Sequence, residues 1–416
     1  MKKGQFVLTV ANRLGLGGNN RVASVIAVVG VSCALAVMLL TLSVSQGFKT
    51  AIREKLSGFT ADISVTPPYN YNKGVQSEYL TADPSTVDLI KKAVPGADIS
   101  FALRQPGMLK TDDDYSVLLF TAFAPDHDFA FEKSNLTQGR FPSFRAGGGG
   151  DSIVVSQTVA SRLGLKTGDR VSAFFFAGDN IRARKFTIAG LYSSNFGDFD
   201  KTVCYAPLDM LQRVCGLDSL GASAIEVRGV APDSITQTAE RLQTDFVHRA
   251  EAQQSDSILV VDNITHSGAM YLNWLDLLDT NVVVIFILMC CVAAITLVSS
   301  LFILILNNIP TIGLLRALGA SKPAVRNVFV AMAMRLVGSG MVIGNLLALL
   351  TIWIQQKFLV FPLDPESYYL SHVPMVFNLT GIVLINVGVA AMSWLVLILP
   401  ARVASSISPA RTMRCD

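Results

Sequence analysis

The stretch that decides the fold is VASVIAVVGVSCALAVMLLTLSVSQ, residues 22–46, which carries no charged side chain over 25 positions. A helix needs about 20 apolar residues to cross the hydrocarbon core of a bilayer. A cleaved signal peptide would have a shorter apolar core and a shorter basic region. The string GVSC (residues 30–33) is a poor lipoprotein-processing box, because Gly stands where a Leu-like residue is usual. We therefore predict an uncleaved transmembrane helix at residues 22–46.

Three more apolar runs follow, and they predict transmembrane helices at residues 279–306, 325–355 and 376–400. The charged fraction of the chain is 16%, whereas a soluble protein usually has about 25%. None of the apolar runs 22–46, 281–306, 325–355 and 376–400 contains an acidic residue, so the sequence offers no proton relay or polar path through the membrane.

The charges predict the topology. Residues 1–21 carry four basic side chains and no acid, residues 307–327 carry three and no acid, and the tail after Pro400 carries three against one acid. Residues 49–279 hold 22 basic and 28 acidic side chains, a net charge of −6. Short Lys- and Arg-rich segments stay in the cytoplasm, while long domains are translocated largely regardless of charge. We therefore expect cytoplasmic segments at 1–21, 307–324 and 401–416, and extracytoplasmic segments at 47–278 and 356–375.

The large extracytoplasmic segment is predicted to be a mixed α/β domain carried on two helical stalks. Alternating apolar runs bounded by Gly, Pro and Asp indicate strands, and short helices are expected to end at Gly164 and Gly216. The two stalks are predicted from two sets of apolar residues at helical spacing. The first set is Phe48, Ile52, Leu56 and Phe59, and the second is Tyr271, Leu272, Trp274, Leu275 and Leu278.

Candidate chemical sites are few. Asp126-His127-Asp128 has metal-ligand side chains, but adjacent ligands rarely converge on one ion, so we favour a solvated turn. Cys204 and Cys215 leave a disulfide open, because sequence does not show whether they approach. No nucleophile or base pattern appears, so we predict no catalytic residue, no bound metal or cofactor and no nucleic-acid partner.

The segment NNIPTIGLLRALGASKPAVRNVFV, residues 307–330, is too apolar to be left in water. Pro310 suits the first turn of a short helix, Gly319 suits its end, and Ser321 and Pro323 suit the start of the next helix. The predicted apolar face consists of Ile312, Leu315 and Leu318. Physical chemistry leaves two interpretations open, a helix resting on lipid and a helix docked in a partner's groove.

IGLLRALGASKPAVRNVF (residues 312–329) resembles the coupling-helix segment of permeases in the MacB/FtsX superfamily of ABC transporters. LPARVASSISPARTMR (residues 399–414) is similar to the C-terminal signature of that superfamily. The order of one span, a large outside domain and three spans also matches. Residues 275–289 and 362–374 look most like lipoprotein-releasing (Lol-type) permeases. The similarity covers essentially the whole chain.

The resemblance implies a function and partners. This chain has no GxxxxGK[ST] phosphate loop, so ATP and Mg would bind a separate cytoplasmic ATPase dimer. A second permease subunit, identical or homologous, would complete the transporter in the inner membrane, with the large domain in the periplasm. The residues expected to couple to the ATPase are Ile312, Gly313, Leu314, Leu315, Arg316, Ala317, Leu318, Gly319 and Ala320.

The expected activity is extraction of lipoproteins from the inner membrane through ATP-driven change in the periplasmic domain. Two alternatives are an efflux permease for peptides or drugs, and a division-type protein that activates a cell-wall hydrolase. In such permeases a periplasmic chaperone or adaptor is a further partner. The chaperone-binding hook of some lipoprotein-releasing permeases carries Pro, but the corresponding segment here, residues 174–186, is shorter and has none. We therefore do not expect this subunit to capture a chaperone directly.

An apolar cavity between the first and second spans would hold the acyl chains of a lipid-anchored or amphiphilic substrate. Its proposed rim is Phe48, Ile52, Tyr271, Trp274 and Leu278, although core packing also explains each of these residues. Gly340 and Gly344 form a GxxxG pattern that either lets helices approach closely or is a chance occurrence. Arg335 is expected at the inner membrane boundary, with a buried ion pair as its alternative.

Overall fold

The computed structural model describes residues 21–68, 78–81, 83–142, 144, 150–177, 180–253 and 258–406. The first 20 residues and the last ten, both assigned above to the cytoplasm, lie outside this set. The chain divides into two compact units. We call residues 1–49, 275–362 and 372–416 the helical unit, and residues 50–274 and 363–371 the α/β unit.

In the described residues the helices are α1 (Arg21–Thr60), α2 (Pro84–Ala93), α3 (Ala130–Ser134), α4 (Gln157–Leu163), α5 (Gly197–Thr202), α6 (Leu208–Cys215), α7 (Ile235–Gln253), α8 (Ile264–Ser267), α9 (Ala269–Asn307), α10 (Ile309–Ala317), α11 (Lys322–Phe358), α12 (Pro365–Tyr368) and α13 (Leu379–Ser406). The strands are β1 (Ile63–Thr66), β2 (Leu80–Thr81), β3 (Asp98–Lys110), β4 (Tyr115–Phe123), β5 (Leu136–Gly139), β6 (Ser152–Ser156), β7 (Arg170–Ala177), β8 (Asn180–Tyr192), β9 (Val203–Tyr205), β10 (Gly221–Ala222), β11 (Ala224–Arg228) and β12 (Val260–Asn263).

Four helices, α1, α9, α11 and α13, are long and apolar enough to cross a membrane. This confirms the predicted four-span fold. Some helices extend beyond their apolar runs. Helix α11 continues to Phe358, and Leu359 caps its end with a left-handed φ of 49°. Helix α13 begins at Leu379 rather than at the start of its apolar run, because the Asn378 side chain accepts a hydrogen bond from the Gly381 N–H and so caps the helix there.

Helix α1 packs against α11 at two glycines. A Cβ atom on Gly340 would lie 3.0 Å from the Val28 carbonyl oxygen, and one on Gly344 would lie 2.8 Å from the Ser32 carbonyl oxygen. The Ser32 hydroxyl donates to the Gly340 carbonyl oxygen at 2.9 Å across the same contact. Small residues in membrane helices allow this close backbone approach. The GxxxG segment therefore lies at a tight helix contact.

A second polar contact joins α11 to α13. Asn345 and Asn386 exchange two side-chain hydrogen bonds of 2.7 and 2.9 Å, and each also donates to a carbonyl oxygen one turn earlier in its own helix. The oxygen and nitrogen of both side-chain amides are therefore bonded in an apolar environment, where an unpaired amide is costly. Such pairs hold membrane helices in register.

The α/β unit has a mixed sheet, which confirms the predicted fold class. Strand pairs β3–β4, β4–β9, β9–β6, β6–β8, β8–β7 and β7–β3 follow one another around a closed ring, in which β4–β9 and β6–β8 are parallel and the others antiparallel. Strands β11, β1 and β12 extend the sheet from β3. Closing a sheet on itself removes exposed strand edges.

Two apolar cores stabilise this unit. The first combines side chains of the ring strands, such as Phe120 and Phe175, with residues of α4 and α6. The second combines β1 and β11 with α2 and α7, and Leu56 of α1 also belongs to it. The predicted stops are confirmed: α4 and α6 end at Gly164 and Gly216, with φ of 67° and 72°.

The glycine contact between α1 and α11 generates a prediction. Gly344→Ala should destabilise the helical unit by about 1–3 kcal/mol, because the new methyl group meets backbone atoms that cannot rotate away. The measurement is the thermal unfolding midpoint of the full chain in detergent, which should fall.

Gly338 is the matched control, since nothing lies within 4 Å of a Cβ at that position of the same helix. Gly338→Ala should leave the midpoint unchanged or raise it, because Ala favours helix more than Gly does. Equal effects of the two substitutions would show that the contact at Gly344 is not tight.

Candidate functional site

The short helix α10 is fastened to the helical unit at one side. Ile312 is buried, and it joins a core that includes residues of α1, α9 and α11. The helix ends in a Schellman motif: the Gly319 N–H donates to the Arg316 carbonyl oxygen, and the Ala320 N–H donates to that of Leu315. Gly319 has a φ of 92°, as its predicted role as the stop requires. A tight turn therefore joins α10 to α11.

The prediction of the apolar face of this helix was wrong in part. Ile312 is buried and Leu315 is half-buried, but Leu318 lies one residue beyond the helix and is 77% exposed. Leu314 is 62% exposed. The buried side of α10 is thus taken by its own unit, and Leu314 and Leu318 form a separate exposed apolar pair, which we call the α10 apolar pair.

The start of α11 also differs in detail from the prediction. Ser321 has the extended backbone of an N-cap residue, and Pro323 lies in the first turn, as predicted. The Ser321 side chain, however, makes no capping hydrogen bond. Arg335, farther along α11, is exposed in this unit.

The residues predicted for the substrate rim fall in different units. Phe48 and Leu278 belong to the helical unit, whereas Ile52, Tyr271 and Trp274 belong to the α/β unit. Phe48 and Ile52 are buried, and the other three are half-buried. The burial of Phe48 and Ile52 agrees with the alternative that these two residues serve core packing. The rim itself stays a prediction.

Asp126 and Asp128 are exposed at a turn, as predicted, but His127 between them is buried, which corrects the expectation for that residue. Its ring is buried and stacks on Phe123, with 4.1 Å between ring centres. Its Nε2 lies 3.2 Å from Glu132 Oε1, and its Nδ1 lies 3.4 Å from Arg228 Nη1. Since a guanidinium only donates, Nδ1 accepts and the proton is on Nε2, facing Glu132. His127 is therefore part of a buried polar network. In the described residues, no group of three or more His, Cys, Asp or Glu side chains is placed to hold a metal ion.

Glu226 is the centre of this network. Its side chain is fully buried between the guanidinium groups of Arg104 and Arg228, which pair with its two carboxylate oxygens. Burial alone would raise the pKa of Glu226, but the two positive charges outweigh it and hold the pKa below its ordinary value. The carboxylate thus remains ionised and bridges β3 to β11, the strands that carry Arg104 and Arg228.

The two cysteines of the α/β unit are free thiols. Cys204 is fully buried in β9, and its burial raises the pKa of the thiol. Cys215 ends α6, and its Sγ lies 3.5 Å from Gln105 Oε1. The alternative of a disulfide is therefore closed in this structure.

The segment compared above with a chaperone-binding hook forms the hairpin of β7 and β8. The strands pair antiparallel to Ala177 and Asn180, and residues 178–179 between them lie outside the described part. Near this end Phe176 is 55% and Ile181 66% exposed. The expectation that this segment does not capture a chaperone directly stays a prediction.

Comparison with known protein families agrees with this architecture. The MacB-like periplasmic core domain model matches residues 24–245, and the FtsX-like permease C-terminal model matches residues 282–409. Four membrane-spanning helices with an α/β domain between the first two define a class of membrane permease. The chain belongs to the MacB/FtsX family of ABC transporter permeases.

Curated relatives extend over nearly the whole chain. The lipoprotein-releasing system transmembrane protein LolC of Xylella fastidiosa (strain Temecula1) is 22% identical over 415 residues, which is 94% of each protein. LolC of Neisseria meningitidis serogroup B is 23% identical over 278 residues, which is 64% of this chain and 65% of that protein.

Two solved structures also align with part of the chain. The periplasmic region of MacB from Actinobacillus actinomycetemcomitans is 10% identical, covers 51% of this chain and 92% of its own, and has a TM-score of 0.32. The extracellular domain of the ABC-type transporter YknZ from Gram-positive bacteria is 16% identical, covers 48% and 98%, and also has a TM-score of 0.32.

The buried network predicts a large effect at Glu226. Glu226→Gln should lower the free energy of unfolding of the α/β unit by about 3 kcal/mol, because two largely buried guanidinium groups lose their carboxylate. Since the folded pKa is lowered, the stability that Glu226 contributes is present above the ordinary carboxyl pKa and is lost as the pH falls through the lowered value. The Glu226→Gln variant should not show this loss of stability at low pH.

The measurement is urea unfolding of residues 50–274, which we expect to fold alone because they have their own cores. Glu240→Gln is the control, because this glutamate is exposed on α7 and its substitution should cost at most about 0.5 kcal/mol. A Glu226→Gln variant as stable as that control would contradict the role of the network.

Proposed function

We propose that this chain is the permease subunit of a transporter that extracts lipoproteins from the inner membrane, driven by ATP hydrolysis on a separate ATPase. The observation that carries the proposal is the similarity to proteins named as lipoprotein-releasing, which extends over 94% of the chain. The chain has no phosphate-binding loop of its own, which supports a separate ATPase.

The α10 helix is the proposed contact with the ATPase. Leu314 and Leu318 present apolar surface on a segment flanked by basic residues, as expected of the cytoplasmic side. A partner groove would bury both leucines. Because Ile312 and the Schellman turn hold α10 against α11, a push on α10 would move α11 as a rigid rod.

Helix α11 would then carry the movement to the other spans. It contacts α1 through Gly340 and Gly344, and it contacts α13 through Asn345 and Asn386. Close-packed interfaces transmit displacement rather than absorb it. The apolar character of the spans suits a substrate that keeps its acyl chains in lipid until release. A hydrophilic solute would need a polar path, and the four apolar runs contain no acidic residue.

The α10 apolar pair can be tested by adding one charge. Leu314→Asp should leave the protein in the membrane but abolish co-purification with the ATPase, because an unpaired charge in a docked interface costs several kcal/mol. The readouts are a pull-down from detergent extracts and the ATP hydrolysis of the purified complex.

Leu314→Met is the control, because it keeps the apolar volume and should retain the ATPase. Leu315→Asp and Gly319→Val are expected to act less directly, by disturbing the packed side and the left-handed turn of α10. If Leu314→Asp retains the ATPase at the wild-type level, α10 is a lipid-surface helix rather than a docking helix.

The substrate is tested by release from reconstituted membranes. Proteoliposomes containing the complex and a labelled triacylated lipoprotein should lose the label to a soluble acceptor when ATP is added. A soluble peptide enclosed in the same vesicles should stay inside. Export of the peptide without release of the lipoprotein would assign the chain to the efflux class instead.

A further inference from the structure

The connection between α11 and α13 is built into the α/β unit. Residues 363–371 belong to that unit, although the chain on either side of them belongs to the helical unit. The Leu363 N–H donates to the Ser371 carbonyl oxygen at 2.9 Å, which closes the base of the connection, and the short helix α12 lies within it. We call residues 363–371 the strap.

Tyr369 attaches the strap through its ring. It stacks on the fully buried ring of Phe196, with 4.7 Å between centres and 29° between planes. It also meets Tyr271, near the start of α9, edge-on at 5.7 Å. Tyr369 has a φ of 59°, which is uncommon for a residue with a side chain. A strained backbone of this kind persists only where surrounding contacts hold it.

Lys55 of α1 attaches the strap through its backbone. Its ammonium group donates to the Tyr369 carbonyl oxygen at 2.8 Å and to the Ser194 carbonyl oxygen at 2.5 Å. Ser194 in turn donates its N–H and its hydroxyl to Asp200, a buried carboxylate. The one cation therefore ties the strap to α1 and to the turn before α5.

The same turn is also tied to α9. The Tyr271 hydroxyl donates to Asp198 Oδ2 at 2.7 Å, and its ring lies 4.9 Å from that of Phe196. Four separate parts of the chain therefore meet around Phe196: the outer end of α1, residues 194–200, the start of α9 and the strap. A loop that served only to connect two helices would not need these contacts. The alternative is that the contacts merely keep the loop ordered.

We infer that the strap is a transmission element, and that Lys55 and Tyr369 are positioning residues that make the α/β unit follow the movement of α11 and α13. The strap is joined covalently to these two helices at its ends. The contacts of the strap that are described above are all with residues of the α/β unit. The inference rests on the proposed function only in that an ATPase moves α11.

The test uses the full chain in complex with its ATPase in lipid nanodiscs, with hydrogen exchange as the readout. Tyr369→Ala and Lys55→Met each remove one attachment. Amides of residues 363–371 should exchange about tenfold faster in either variant, because the loss of one aromatic pair or one charged donor favours local opening to about that extent. Core amides of β4 should be unchanged, which shows that the α/β unit is folded.

The decisive measurement is the response to ATP. In the wild type, trapping the complex with ATP should change exchange in residues 196–205 relative to the nucleotide-free complex. In Tyr369→Ala and Lys55→Met this change should be lost, while the ATPase stays bound and hydrolyses ATP. Tyr369→Phe and Lys55→Arg keep the ring and the cation, and should respond as the wild type does. Tyr368→Ala, next in the chain and 43% exposed, is the positional control.

Three outcomes would overturn the inference. These are strap exchange in the variants that equals that of the wild type, an ATP response that survives in both variants, and a wild-type complex without any ATP response. No lipoprotein is present in this experiment. If the wild type responds to ATP but releases no lipoprotein from proteoliposomes, the proposed substrate is wrong while the strap stands.

Discussion

The close approach of α1 and α11 is the contact on which the rest of the helical unit depends. In lipid the hydrophobic effect does not drive helices together, so association relies on packing and on hydrogen bonds between helices. Gly340 and Gly344 allow backbone contact, and the Ser32 hydroxyl adds a hydrogen bond within it. Helix α1 can then also meet α9 and α13, since Gly30 faces Thr296 and Gly381 faces Leu42. One helix thus organises the other three.

The α/β unit is stabilised by interactions between buried charged groups. Buried ions must be paired, and Glu226 satisfies this by lying between Arg104 and Arg228. His127 and Glu132 extend the network on the other side of Arg228. A second buried carboxylate, Asp200, has its pKa raised by burial, although hydrogen bonds from Ser194 and the charge of Lys55 oppose the shift. Polar networks rather than disulfides therefore tie these strands and turns together.

Local signals in the sequence were reliable where a single chain segment determines the result. The four spans follow from hydrophobic length, and the stops at Gly164, Gly216 and Gly319 follow from left-handed backbone. The face of α10 was predicted less well. Helical spacing groups Ile312, Leu315 and Leu318, but spacing does not show where a helix ends or which side its own unit covers.

The sequence by itself determined the class of this protein, because a bilayer imposes length and apolarity on each span regardless of what surrounds it. It also contained residues 312–329, which resemble the coupling-helix segment of the family. Only the tertiary structure decided that His127 is buried, that Leu314 is exposed on α10, and that Tyr369 is bound within the α/β unit. These results depend on residues tens to hundreds of positions apart, and no local pattern records which distant side chain will fill the space beside them.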